Sequence, residues 1–203
     1  MSDFEPRKRP QQARSQATWD AIVEAGAQLL VEQGFHNCST NGIAERAGVS
    51  IGSLYQYFPN KEAVIAAVVD RFVEKQFEIL MDGLEANAPL QDSVRRLVQA
   101  LVDAKQSDPE LSRVMFEQMP SIDQTDLLRE WNERACRAVR LALESRRDEI
   151  DVEDLEMASF LVVTACHGVI HSTVLDRPEL LEEDRLVQHT TRLILRYLGA
   201  SID

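Results

Sequence analysis

TNGIAERAGVSIGSLYQYFPNK, residues 40–61, reads as two short helices joined by a tight turn, with the start of a third helix at its end. Thr40 has the side chain to N-cap a helix whose inner face carries Ile43, Ala44 and Ala47. Gly48 stands where a helix end favours a left-handed residue, so the first helix is predicted to stop at Ala47. Val49 is apolar and wedges between the helices, and Ser50 is a second cap that opens the segment 51–58. Two capped helices separated by a glycine turn make a helix-turn-helix.

At about 100° per residue along the second helix, Leu54 and Phe58 share one side and serve as anchors. Gly52, Ser53 and Gln56 project from the opposite side, Tyr55 and Tyr57 fall on the flanks, and Ile51 sits on the shoulder. Such a face suits duplex DNA. Gly52 allows close backbone approach, Gln56 can pair bidentately with adenine, and Ser53 can donate or accept at several bases. The tyrosine hydroxyls are placed to reach phosphates bordering a groove. Pro59 and Asn60 break this helix, and Asn60 can cap the next, whose first residue is Lys61. A positive charge at a helix start opposes the dipole, so Lys61 is expected to have a partner outside the chain, at the phosphate rim.

Working outward, a helix is predicted over residues 12–33, with Ile22, Gly26, Leu29, Leu30 and Gln33 nearly aligned and Gly34 ending it. Before it, Arg7, Lys8, Arg9 and Arg14 form a basic arm that can lie along phosphates or enter a minor groove; a solvated tail is the other reading of the same residues. The net charge of −12 argues against nucleic acid only if it is spread evenly. Residues 1–62 hold six Lys and Arg against seven Asp and Glu, a net of −1, which leaves −11 for residues 63–203. The acid lies outside the candidate DNA-binding head.

The stretch resembles the TetR family of bacterial transcriptional regulators. The resemblance is carried by Arg14, Ile22 with Ala25, Gly34-Phe35, Thr40 with Ile43-Ala44, Ala47-Gly48-Val49-Ser50, Gly52 with Leu54-Tyr55, and Tyr57-Phe58 with Lys61-Glu62. It covers the first third of the chain strongly, and the remaining helices are compatible with it. It implies DNA contacts at Thr40, Ser50, Ile51, Gly52, Ser53, Tyr55, Gln56, Tyr57 and Lys61, beside the Arg7–Arg14 arm. Two residues depart from the pattern. Trp19 is unexpected in the first helix and is expected to pack toward the second domain. Ile51 stands where the family often has a basic residue.

Beyond Asn60 a long helix is predicted to about Leu84 and to link the head to the rest. Further helical stripes follow Pro89, Asp108-Pro109, residue 121, Asp151 or Asp154, and Pro178, the last over residues 182–198. Pro120 is read as the end of the helix that Asp108-Pro109 begins. The segment LEMASFLVVTACHGVIHSTVLD is apolar nearly all round and is expected to be buried on more than one side. Period-two alternation and internal repeats are missing from the sequence, so the chain is predicted to be all-α with about nine helices. It divides into a DNA-binding head, residues 1–62, and a larger ligand-binding and dimerisation domain, residues 63–203. No apolar run is read as long enough to span a bilayer, and the N-terminus lacks a signal-peptide core. With three cysteines, Cys38, Cys136 and Cys166, outside any metal spacing, a cytoplasmic protein without membrane association is expected.

Two apolar C-terminal helices suggest a homodimer closed by a four-helix bundle, as the resemblance also implies, and hence a palindromic operator in double-stranded DNA. The resemblance further implies a pocket for a small-molecule inducer, for which Met115, Phe116, Met119, Trp131, Phe160, Cys166, His167 and His171 are the candidates. Plain core is the alternative for each of them. His167 and His171, four apart, have metal-ligand spacing but no third ligand, and are read as pocket or interface residues; no metal or cofactor is expected. The expected function is a ligand-responsive repressor, with an activator or a regulator without ligand as alternatives. A helical-bundle enzyme is disfavoured: neighbouring Cys166 and His167 point about 100° apart on a helix and make no nucleophile–base pair.

Overall fold

A computed structural model of the chain describes residues 6–7, 10, 12–84, 88–118 and 125–200. Among them are nine α-helices: α1 Ala13–Asn37, α2 Thr40–Arg46, α3 Ile51–Tyr57, α4 Lys61–Gly83, α5 Leu90–Ser107, α6 Pro109–Gln118, α7 Thr125–Glu144, α8 Leu155–Asp176 and α9 Asp184–Leu198. Short 3-10 turns at Arg147–Glu149 and Pro178–Glu182 precede α8 and α9. The fold is all-helical, as the periodicity requires. Lys8, Arg9, Met119 and the stop expected at Pro120 lie outside the described residues.

The chain forms two compact units. The first comprises Met1–Phe72 and Glu110–Gln124, and the second Val73–Pro109 and Thr125–Asp203. The division falls inside α4 and at the start of α6 rather than at residue 62, so α6 belongs to the same unit as the helix-turn-helix.

In the first unit α1 runs past the predicted end, but Gly34 has φ 73°, which breaks the helical geometry there and leaves 35–37 as a separate last turn. Ile22, Leu30, Ile43, Leu54, Phe58, Val64 and Ile65 are fully buried and form its core. Phe116 of α6 meets Phe72 of α4 edge-to-face with ring centroids 6.2 Å apart. Full burial of aliphatic and aromatic side chains contributes about 1.5–3 kcal/mol each.

In the second unit α7 packs on α8 and α5 on α9, with α8 also touching α5 and α9. Asp154, one of the two predicted caps, accepts the Met157 N–H at 2.9 Å and starts α8. Gly199, at φ 69°, ends α9. The 22 residues of α8, with a mean hydropathy of 1.6 in the most apolar window, are long and apolar enough by composition alone to cross a bilayer, a test that the buried core helix of a globular protein also passes. Ser159, Thr164, His167, His171, Ser172 and Thr173 interrupt the apolar run. Ala158, Val162, Cys166, Ile170 and Val174 of this helix are buried, while Met157, Phe160 and Leu161 are exposed. α8 is thus covered by α5, α7 and α9, with Met157, Phe160 and Leu161 left outside.

Candidate nucleic-acid interface

The helix-turn-helix is built by its caps. Ser39, not Thr40, is the N-cap of α2 and accepts the Gly42 N–H at 3.1 Å. Two adjacent hydroxyl residues left the cap position ambiguous by one residue in the sequence. Thr40 instead places its hydroxyl 3.2 Å from that of Tyr55, joining α2 to α3. α2 ends at Arg46 with Ala47 as its C-cap, and Gly48 takes φ 67°, a left-handed conformation that side chains with a Cβ rarely adopt. Ser50 caps α3 as predicted, accepting the Ser53 N–H at 3.0 Å, and the two serine hydroxyls lie 2.8 Å apart.

Leu54 and Phe58 are fully buried anchors, which leaves Gly52 and Gln56 exposed on the outer side, Ile51 and Tyr55 exposed beside them, and Ser53 and Tyr57 half-buried. Phe58 is the C-cap of α3 rather than its last helical residue. Trp19 stacks at a tilt on Phe58, centroids 4.3 Å apart, and meets Tyr57 edge-to-face at 6.0 Å. This corrects the expectation for Trp19: the indole fastens α1 to the recognition helix inside the head.

Asn60 accepts the Ala63 N–H at 2.8 Å, the cap predicted for α4. Lys61 differs from its expectation. Its ammonium donates to the carbonyls of Phe35 at 3.0 Å and His36 at 3.2 Å, and lies 5.0 Å from the centroid of the Phe35 ring. The carbonyls at the end of α1 carry the negative end of that helix, so the lysine has a partner within the chain. Cys38 is buried in this region, and loss of water raises its thiol pKa against the opposing charge of Lys61.

Arg7 bonds to the other end of α3. Its backbone N–H donates to the Tyr57 carbonyl at 2.7 Å, and its guanidinium to the Tyr55 carbonyl at 3.3 Å. Carbonyls of a last helical turn have no acceptor role within the helix, so Arg7 caps α3 with a charge of the favourable sign. Arg14 is exposed on α1. Arg46, which carried no sequence expectation, forks onto Glu32 at 2.7 Å through both nitrogens and pins α2 to α1; hydrogen bonding from Arg46 lowers the Glu32 pKa.

The pocket candidates divide between the units. Met115 and Phe116 are buried in the first. In the second, Trp131 of α7 stands 5.9 Å from His167, which stands 5.9 Å from His171, ring centroid to ring centroid. Cys166 points elsewhere, into an apolar cavity of about 30 Å³ among α5, α7, α8 and α9 that also touches Leu97, Val139, Val162 and Ile194. That is space for about one water and no larger ligand. Burial pushes the Cys166 thiol up to about 12, which removes it as a nucleophile. Phe160 is 47% exposed and off this row.

Two short helices, each started by a serine cap and joined by a glycine turn, with Leu54 and Phe58 as buried anchors, define a helix-turn-helix DNA-binding protein. Residues 22–68 match the tetR family of bacterial regulatory proteins, and residues 89–198 match the tetracyclin repressor-like C-terminal domain. The chain belongs to the TetR family of DNA-binding transcriptional regulators, whose members are regulators and not enzymes. It is similar to the transcriptional activator FasR of Mycolicibacterium smegmatis, 31% identical over 96 residues that make up 47% of this chain and 44% of that one. The matched stretch thus spans less than half the length of that relative. Among solved structures, the fatty acid degradation regulator FadR from Bacillus halodurans superposes with a TM-score of 0.72 at 20% identity, covering 95% of this chain and all of the other. SmeT, the repressor of the Stenotrophomonas maltophilia multidrug efflux pump SmeDEF, gives 0.68 at 24% identity over 90% and 91% of the two chains. At these identities the structural likeness establishes the fold.

Proposed function

We propose that the protein is a cytoplasmic, dimeric repressor that grips a palindromic operator and is released by a small-molecule inducer. The observation that carries this reading is the outward presentation of Gly52, Gln56 and Tyr55 by a helix whose opposite side is fully buried. In it, residues 1–62 form the DNA-binding part, with Gln56 and Ser53 reading bases from α3, and Gly52 and Ile51 packed against the groove. Thr40, Ser50, Tyr55 and Tyr57 meet phosphates on the flanks, and Arg7, Lys8, Arg9 and Arg14 follow the backbone or the minor groove. Residues 63–203 bind ligand and dimerise. Exposed Met157, Phe160 and Leu161 on α8 and Leu193 and Tyr197 on α9 support a twofold helical interface.

Release requires that the inducer bind the DNA-competent and DNA-incompetent states with different affinity. α4 runs unbroken from Lys61 to Gly83, which makes it the natural carrier of such a change. An activator is the second reading, favoured by the similarity to FasR, a transcriptional activator. Selection of bound duplexes from a random pool tests the proposal. A palindromic consensus, bound by a dimer in light scattering and repressing a reporter placed downstream, is the expected result. Recovery of no consensus sinks it, and stimulation of the reporter selects the activator.

A further inference from the structure

Lys61 opens α4 just after α3 ends, yet its half-buried side chain turns to the far end of α1. Gly34 breaks the helical geometry there, and the carbonyls of residues 33–36 each have a donor. The Asn37 side chain donates to the Gln33 carbonyl at 2.9 Å, and the Cys38 N–H to the Gly34 carbonyl at 3.3 Å. The Lys61 ammonium supplies the carbonyls of Phe35 and His36, at 3.0 and 3.2 Å, and lies 5.0 Å from the centroid of the Phe35 ring. Two of its three donors are thereby taken, within range of a cation–π contact. A lysine that swung out to a phosphate would leave both carbonyls without that donor, which offsets the gain from the phosphate. Most other cations described in the first unit are also engaged by the chain itself. Arg46 forks onto Glu32, Arg71 pairs with Glu24, Arg113 with Glu110 and Glu117, and Arg7 donates to the end of α3. Arg14 is the exception, exposed and without a side-chain partner among the described residues.

We infer that Lys61 is a positioning residue for base recognition: its ammonium fastens the α3–α4 corner to the end of α1 and does not neutralise a DNA phosphate. The inference rests on the proposed reading of α3 as the helix that reads bases. Only Phe58, Pro59 and Asn60 separate Lys61 from the end of α3, so a fixed Lys61 limits how far that end can shift. Phe58 is fully buried and stacks on Trp19, which gives α1 a second tie to the same corner. Held at both ties, α3 presents Gln56 and Ser53 to a groove in one orientation, and hydrogen bonds to base edges demand that orientation. Attraction to the phosphates falls instead on the exposed Arg14 and the basic residues that precede it.

The test titrates the full chain, over a range of salt, against a duplex selected from a random pool and a scrambled duplex of the same length and composition. Lys61→Met keeps a long side chain and removes the charge. The expected result is a loss of about tenfold or more on the selected duplex, unchanged affinity for the scrambled one, and an unchanged slope of log affinity against log salt. Phe35→Leu, which removes the ring and keeps the lysine, cuts the preference for the selected duplex by about threefold, and it decides the matter alone where Lys61→Met does not fold. Arg14→Gln marks the opposite behaviour: both duplexes are bound less tightly and the slope falls by about 0.9. A Lys61→Met protein that behaves like Arg14→Gln has lost a phosphate contact, and the inference is overturned. An equal loss on both duplexes at an unchanged slope marks a smaller folded fraction and overturns it as well, as does full preference in Phe35→Leu. A parent protein that binds both duplexes alike sinks the base-reading role of α3, and this inference with it. Failure of that reading is therefore seen in the parent, and failure of the Lys61 assignment alone only in the variants.

Discussion

In the first unit Ser39, Ser50 and Asn60 each accept a backbone N–H at a helix start, while Arg7 and Lys61 donate to carbonyls at helix ends. In the second unit a lysine is buried against an amide oxygen, an indole N–H is buried without an acceptor among the described residues, and apolar side chains on α8 and α9 face solvent. The head spends its polar groups on its own backbone, and its specificity lies in geometry held ready for DNA. The second unit keeps an indole N–H without an acceptor among the described residues and apolar side chains at its surface, which is the condition under which a ligand or a second copy gains binding energy. On the proposed reading, the contrast separates the preorganised part from the part that responds.

The contrast breaks most visibly at Phe58. Phe58→Ala is expected to remove about 3–5 kcal/mol from the head and abolish operator binding. Amide exchange should show the loss confined to the first unit, with α8 and α9 protected as before; a uniform loss would mean that the two units unfold as one.

Lys105→Met should act in the other direction. The folded ammonium titrates at about 7 instead of 10.5, so the folded state disfavours the charged form. The penalty is full below about pH 7 and fades as pH rises toward the unfolded value, because the unfolded chain binds the extra proton across that window. Lys75 is the like charge that acts on Lys105, and Lys105 in turn contributes to lowering the His167 pKa. The variant is expected to exceed the parent by on the order of 3 kcal/mol in urea unfolding at pH 6, with the gap shrinking by pH 9. A pH-independent gap would show that the ammonium is compensated.

Ser50→Ala should cost about 1 kcal/mol by loss of the cap and loosen Ser53, weakening operator binding more than stability alone accounts for. Full affinity in gel shift at an unchanged dimer concentration would show that α3 does not depend on its cap.

Arg7→Ala gives the smallest effect and the finest distinction. An arginine that only caps α3 lowers affinity by less than tenfold and leaves the slope of log affinity against log salt unchanged. One that also neutralises a phosphate reduces that slope by about 0.9.

Most of the head was legible in the sequence because its signals are local: hydroxyl and amide caps, a glycine turn, and anchors four residues apart. Residues whose partners come from elsewhere in the chain were misread. Lys61 was judged against the dipole of its own helix, and the carbonyls of Phe35 and His36 are 26 and 25 residues away. Trp19 carried no mark saying which aromatic side chains it would meet. In the second unit the helices followed from their periodicity. His167, His171 and Trp131 were named as candidates, and the buried Lys105 carried no expectation. One signal was present. Val94, Val98, Leu101, Val102 and Lys105 continue a single apolar stripe along α5, which puts the lysine on the buried face.

The stacking of Trp19 on Phe58 and Tyr57 makes that indole a built-in optical reporter of how the recognition helix is seated. The chain contains two tryptophans, and the other, Trp131, lies beside His167 in the second unit. Replacing either one by phenylalanine leaves a single emitter in a known unit. Emission from Trp19 then reports on the first unit and emission from Trp131 on the second, so the order in which the two units change when a probe is added can be timed in one unlabelled protein.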